Sequence, residues 1–485
     1  MRQARLYIYI CKTPMNIKNI LGAIAMLSCA TMARAYVTLP AIFSDGMVVE
    51  QNSDIKIWGW AKPKEPIKVR ATWDDQTVET EAAADATWSV TLHTPEGSHD
   101  TYEIEIAGWD RHVVRDVMVG EVIMCSGQSN MEWTIGAGFI GKDSVVAQAN
   151  QGEIRMFHVD YRTSQTPCHD VSGQWQVTSP STVGNFSAIG YFIACKVLKE
   201  LDVPVGIINS TWGGTPIECW TPEEAYINCD RLRSVNDELK QGEWGPCRPG
   251  RIYNAMVAPI IRYKVKGVAW YQGEENTNNP SAYSDMMYAL VNEWRVASGD
   301  DDLPFVFAQI APYNYGSGNG VIIREHQRRA MQIPGTAMVV IGDLGDTTNI
   351  HPQHKVEAGE RFANAVMSHI YGKKGYRYEA PLFKKMTISG TKAIITFNND
   401  EGLHVEGGKT PNLFEIAGTD GVFHPAAAKL IVKKSNGTKT YSVEVSSKEV
   451  KTPIAVRYAW CDTAWPNLYN ANGVQASCFT TLEIF

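Results

Sequence analysis

No block of Lys or Arg appears anywhere in this chain, and its 45 basic residues are outnumbered by 52 acidic ones. Without a basic patch, neither nucleic acid nor an anionic membrane surface is an expected partner. Cys-x-x-Cys is missing, and Cys and His never gather at the spacing of a structural zinc site. Past residue 35 no apolar run is long enough to span a bilayer, so no membrane span is expected. Internal repeats and low-complexity linkers are lacking too, which rules out a repeat array.

What remains is the composition of a folded protein. With 485 residues, 44% hydrophobic and 20% charged, the chain has material for two or three domains with real cores. Its 14 Trp and 20 Tyr suit the faces of sugars, although large domains also bury such residues routinely. Near the N-terminus, Lys18 precedes the apolar run Ile20–Leu27 and then Ala33-Arg34-Ala35. A basic start, a short apolar core and a small-x-small site form a secretory leader, so residues 1–35 are expected to be removed and the protein exported to a periplasm or beyond. Cys29 offers a lipidation alternative. Of the ten Cys, eight lie beyond the leader, and an oxidising compartment permits bridges such as Cys461–Cys478 or a pair among Cys219, Cys229 and Cys247.

Apolar and polar residues alternate in Ile55–Trp60, Ile67–Ala71 and Tyr102–Ile106, as in half-buried strands, so 36–115 reads as an N-terminal β-sandwich domain. From Val117 the pattern changes. Short apolar strands (Val122–Met124, Val205–Asn209, Val265–Trp270, Phe305–Ile310, Ala337–Ile341) alternate with helical stretches such as Ala188–Glu200 and Ser281–Trp294. That alternation predicts an α/β catalytic domain over 116–375, a parallel sheet with helices on both faces. Strands return over 376–485, a C-terminal β-rich domain.

In open α/β sheets the site lies where strands lead into helices. Four such segments carry chemistry here. Cys125–Met131 places Ser129 in a tight turn entering a helix, where its hydroxyl is exposed and backbone N–H groups lie close; a Ser there is commonly only a helix cap. Asn209–Pro216 carries the pair Gly213-Gly214, whose backbone can approach an oxyanion closely. Trp270–Asn276 sets Gln272, Glu274 and Asn276 at a strand end. Asp346–Pro352 brings His351 before a helix, and His351 with His354 has metal-like spacing but no third ligand, so no metal is expected. Ser187 reads as a helix cap, and Ser126 as a hydrogen-bonding partner within its turn.

Together these segments resemble the sialate O-acetylesterase family of carbohydrate esterases, a branch of the SGNH (GDSL-like) hydrolases. The resemblance rests on GEVIMCSGQSNMEW at 120–133, STWGGTPIECW at 210–220, YNAMVAPI at 253–260, VAWYQGEENTN at 268–278 and IHPQHKVEAGERFA at 350–363, with further likeness in both flanks. It implies a flavodoxin-like three-layer SGNH core with β-rich domains on either side. Ser129 matches the nucleophile and His351 the base. Ser129 N–H and Gly213 or Gly214 match the oxyanion donors, with Gln272 or Asn276 as side-chain donors and Glu274 in support. The implied substrate is an O-acetylated sugar, sialic acid first and an acetylated polysaccharide such as xylan second, with no cofactor. One departure stands out: the wider pattern puts Asp three residues before the His, and this chain has Thr348. Asp346, Asp343 or a backbone carbonyl is then left to orient His351.

Overall fold

The computed structural model describes residues 37–237, 239–240, 244–435 and 437–484. The expected leader, Cys29 included, lies outside the described residues. The fold is mixed α/β around a central sheet whose strands we number β1 (Arg111–Gly127), β2 (Ile154–Val159), β3 (Gly173–Val177), β4 (Val205–Thr211), β5 (Gly267–Tyr271), β6 (Phe305–Gln309) and β7 (Thr336–Val340). Their order is β7-β6-β5-β1-β4-β2-β3. All neighbours are parallel except β3, which closes one edge antiparallel to β2. Strands β5, β6 and β7 are buried along their whole length, which is why they read as continuous apolar runs rather than as an alternation.

Five helices position the site: α1 (Ser129–Glu132), α2 (Ala188–Leu201), α3 (Tyr283–Ser298), α4 (Asn319–Ala330) and α5 (Lys355–Ala365). Ser187 caps α2, its Oγ accepting the Gly190 N–H at 3.1 Å while donating to the Met131 carbonyl at 2.6 Å. Helix α2 packs on α5, and α3 on α4. On α5 and the turn that extends it, Ala363, Val366 and Met367 are buried, while Val356 and Ile370 are half-buried against the same core.

The flanks join this core differently. On the N-terminal side, Asp54–Trp60 pairs antiparallel with Thr87–His93, and Pro66–Ala71 lies between Thr77–Glu81 and Tyr102–Ala107. Tyr102–Ala107 then pairs with the first half of β1, and Val48–Glu50 pairs parallel with its middle. The 17-residue β1 therefore runs straight through position 115, where a domain boundary was expected, and its apolar residues share one core with Val37, Ile67 and Ile106. On the C-terminal side, Leu382–Ser389, Lys392–Asn398, Thr438–Ser446 and Ala427–Ser435 form a separate antiparallel sheet over a second apolar cluster built on Ile395, Val443 and Phe479.

No disulfide joins the described cysteines; Cys219 Sγ instead donates to the Pro246 carbonyl at 2.9 Å.

Topology fixes where chemistry can occur. The chain leaves β1 toward the β3 edge and, after β4, crosses to β5 on the other side of β1. Loops part at such a switch point and leave a crevice. Gly127 lies opposite Thr211 of β4 and Tyr271 of β5, so these three strands end level.

Candidate active site

The turn at the end of β1 is sterically dictated. Gly127 has φ +129°, and a side chain there would begin 2.2 Å from the Tyr271 carbonyl oxygen, so only glycine fits. The next N–H, of Gln128, donates to that same carbonyl at 3.0 Å, and α1 starts at Ser129. Ser129 Oγ does not cap the helix. It meets His351 Nε2 at 2.9 Å, bridging 222 positions of sequence. Among the described residues no acceptor is present for the Ser129 or Gly214 N–H groups. Gly213 packs directly on the serine: a Cβ added to it would sit 3.2 Å from Ser129 Cβ. Its N–H is held by Glu132 Oε2 at 2.6 Å, and burial raises that carboxyl's pKa against the pull of the Gly213 hydrogen bond.

His351 is fixed from its backbone and its ring face. Its N–H donates to Asn349 Oδ1 at 3.0 Å, its carbonyl accepts Gln353 Nε2 at 3.0 Å, and Trp133 packs against the imidazole with centroids 4.5 Å apart and planes tilted by 31°. Burial first, and the charge of Lys355 second, push the His351 pKa down to about 4, so the ring is neutral at physiological pH and able to accept a proton. No carboxylate bonds the ring among the described residues. Asp346, considered for that role, is a surface residue whose Oδ1 accepts the Thr348 N–H at 2.8 Å and Thr348 Oγ1 at 2.7 Å, which lowers its pKa. Asp343 forms a fork with Arg361 at 2.7 and 2.9 Å. The expectation of Asp346 as support for His351 is therefore corrected: its carboxylate closes its own turn.

Beneath the pair lies a buried polar floor. Asn130, the residue after the serine, donates from Nδ2 to Glu274 Oε1 at 2.6 Å and to the Ile350 carbonyl at 3.0 Å, and its Oδ1 accepts Lys355 Nζ at 2.6 Å. Lys355 is only 1% exposed and lies over the rings of Trp133 and Tyr271. Burial pushes Glu274 up to about 7 and Lys355 down to about 7, and each charge favours the other's ionised form. The bond to Ile350 ties the residue before His351 to the residue after Ser129, so one amide sets the spacing of both.

Gln272 and Asn276 were expected among the oxyanion donors, and the hydrogen bonds correct that. Gln272 Nε2 is engaged by Asn276 Oδ1 at 2.7 Å, Gln128 Oε1 at 3.1 Å and the Thr215 carbonyl at 3.2 Å. Asn276 Nδ2 donates to Glu218 at 2.9 Å, and both amides are fully buried. They brace the loops rather than face the crevice. Gln128 Oε1 completes the brace by accepting the Gly273 and Glu275 N–H groups. Ser126 Oγ reaches across to the Ser210 carbonyl of β4 at 2.6 Å rather than bonding within its own turn. His354 meets Glu357 at 3.2 Å, away from the pair. Sequence reasoning passed over Asn130, Glu132, Trp133 and Lys355. The available signal was their place inside the quoted motifs, and for Lys355 its position at the head of an otherwise apolar helix face.

Comparison with known proteins adds an independent line. A family model described as carbohydrate esterase, sialic acid-specific acetylesterase, matches residues 119–368, which include Ser129 and His351. Sialate O-acetylesterase of Mus musculus is 26% identical over 498 residues, covering 88% of this chain and 90% of that protein. The Homo sapiens enzyme of the same name is 27% identical over 466 residues, with 88% of each chain covered. Among solved structures, a carbohydrate acetylesterase from Xanthomonas citri is 34% identical, covers 93% of this chain and 100% of its own, and superposes with a TM-score of 0.82.

Proposed function

We propose a Ser–His route to acetate for this chain, which belongs to the sialic acid-specific acetylesterase family of carbohydrate esterases and is a hydrolase of carboxylic esters. The observation that carries the mechanism is the 2.9 Å approach of Ser129 Oγ to a neutral His351 Nε2 at the sheet's switch point. His351 takes the Ser129 proton as Oγ attacks the acetyl carbonyl. The Ser129 and Gly214 N–H groups face the developing oxyanion, and Gly213 joins them once Glu132 yields its N–H; each such donor lowers the barrier by about 3–4 kcal/mol. Collapse expels the sugar alkoxide, which takes the proton from His351. Water, deprotonated in turn by His351, then releases acetate and restores the serine. Protein groups and water complete the cycle.

The substrate we propose is an O-acetylated sugar, with acetylated sialic acid first because the curated relatives carry that name. Acetate release from O-acetylated sialic acids and from acetylated xylan, by the wild type and Ser129→Ala, tests the reading. Ser129→Ala should release none and unfold at nearly the wild-type temperature, because only the nucleophile is lost. An organophosphonate should label Ser129 alone. Activity above a tenth of wild type in Ser129→Ala would overturn the assignment.

Three coarser expectations complete the proposal. The α/β core is of the SGNH type, supported by the switch-point nucleophile. The working divisions are 36–115, 116–375 and 376–485, with β1 running unbroken across the first of these boundaries. Export rests on the residue pattern of 1–35 and is checked by fractionating cells that express the full chain.

A further inference from the structure

Three aromatic rings border the crevice at the end of the sheet where Ser129 lies, and the Ser–His chemistry uses none of them. Trp212 is the first residue of the loop that follows β4 and stands next to Gly213. Its backbone is locked, the N–H donating to the Gly127 carbonyl at 3.0 Å and the carbonyl accepting Thr215 Oγ1 at 2.7 Å. Tyr161, on the loop that leaves the C-terminal end of β2, stacks on Trp212 with centroids 4.4 Å apart and ring planes 5° from parallel, yet is 48% exposed. Trp244 is 75% exposed although its backbone is seated on the glycine pair. A Cβ on Gly214 would lie 2.6 Å from Trp244 Cβ, and one on Gly245 would lie 2.9 Å from the Gly214 carbonyl and 3.2 Å from that of Gly213. Contact therefore runs without a break from Trp244 through Gly214 and Gly213 to Ser129.

Tyr161 and Trp244 leave large rings in water on either side of the half-buried Trp212, and a contiguous aromatic patch of that kind is a mark of a ligand surface. Flat, exposed rings beside a nucleophile suit the apolar C–H face of a pyranose, whose hydroxyls stay solvated at the ring edge. The acetylated sugar itself must lie over Ser129, so rings displaced to the rim address a neighbouring unit.

We propose that Tyr161, Trp212 and Trp244 form a subsite for a neutral pyranose linked to the acetylated sugar, so that the preferred substrate is an ester carried on a glycan rather than on a free monosaccharide. The proposal rests on the sugar-esterase reading above.

The test compares the acetylated unit alone and in a chain: O-acetylated sialic acid against O-acetylated sialyllactose, and acetylated xylose against acetylated xylohexaose, with 4-nitrophenyl acetate as the small ester. The variants are Trp244→Ala and Tyr161→Ala, both at exposed positions, each first checked by thermal unfolding. The chain-borne ester should exceed its monosaccharide in kcat/KM by tenfold or more, chiefly through KM. In the variants that advantage should fall at least fivefold further than any loss on 4-nitrophenyl acetate. Equal rates on chain and monosaccharide, or an equal loss on all substrates, overturns the proposal. Binding separates it from the reading beneath. Ser129→Ala should bind unacetylated xylohexaose or sialyllactose, and adding Trp244→Ala should weaken that binding at least tenfold. If no sugar ester is cleaved yet this binding difference holds, the esterase reading fails and the subsite stands. If neither glycan binds, the subsite is refuted.

Discussion

The two sides of the Ser129–His351 pair are built from opposite materials. Below it, Asn130, Glu274 and Lys355 are buried, polar and bonded to one another. Around its rim, Tyr161 and Trp244 are exposed and Asp346 is half-buried. A carboxylate on the rim is screened by water and committed to its own turn, so it contributes little to the imidazole. An amide in the floor acts where the dielectric is low and each unmade bond is costly. In the mechanism proposed above, the floor orients the base and the rim is left for substrate.

Substitutions should reproduce that division. The largest effect belongs to the pair: His351→Ala should lower kcat/KM on a soluble acetyl ester by about 10⁴-fold with thermal unfolding little changed. Next comes the floor. Asn130→Ala leaves two buried charged groups without their shared partner and frees the Ile350 carbonyl. It should cost about 3–5 kcal/mol of stability in denaturant unfolding and about a hundredfold in kcat, with KM much less affected. If kcat is unchanged in folded Asn130→Ala, the floor does not orient the base.

Lys355→Met probes the floor's electrostatics. A general base works only when neutral, so activity is lost as pH falls through the His351 pKa, about 4 in the wild type. Lys355 contributes to that depression by repelling the imidazolium, and burial contributes more. Removing the ammonium should raise the pKa and move the acid limb of kcat/KM to higher pH by about one unit. Glu274, the facing acid, then loses its cation and is neutral over the same range, so it does not offset the change. An acid limb that stays in place would remove Lys355 from the account. The smallest effect belongs to the rim: Asp346→Asn should change kcat by less than about threefold, against about 10⁴-fold for a true triad carboxylate. A loss matching that of His351→Ala would make Asp346 the third member and reverse the comparison.

Much of this was readable from residues alone, and the failures have physical causes. The apolar strands β1, β4, β5, β6 and β7 stood out because parallel strands are buried on both faces. Strand β2 did not, since Arg155 interrupts it; its buried guanidinium is satisfied by the Asp116 carboxylate at 2.8 Å and by the Asp116 and Gly152 carbonyls. Ser129, by its place alone, read as a common helix cap, and it was the resemblance of the motifs around it and around His351 that singled out the two. Lys355 was not legible, because a lysine on an apolar helix face signals solvent until the partner that neutralises it is known. Gln272 and Asn276 were assigned to the crevice because strand-end amides are good donors, and the direction in which an amide points is set by tertiary partners that sequence does not display.

Strand β1 has one more consequence. Because a single strand pairs with the N-terminal strands over its first half and with β4 and β5 over its second, its alignment is set at both ends. In a pleated strand a slip of one residue turns every side chain to the opposite face. A slip here would swing Ser129 away from His351 and bury polar side chains in the N-terminal sheet at the same time. The N-terminal flank thus acts as a ruler for Ser129, the proposed nucleophile, and a chain cut within β1 would lose the measure as well as the strand.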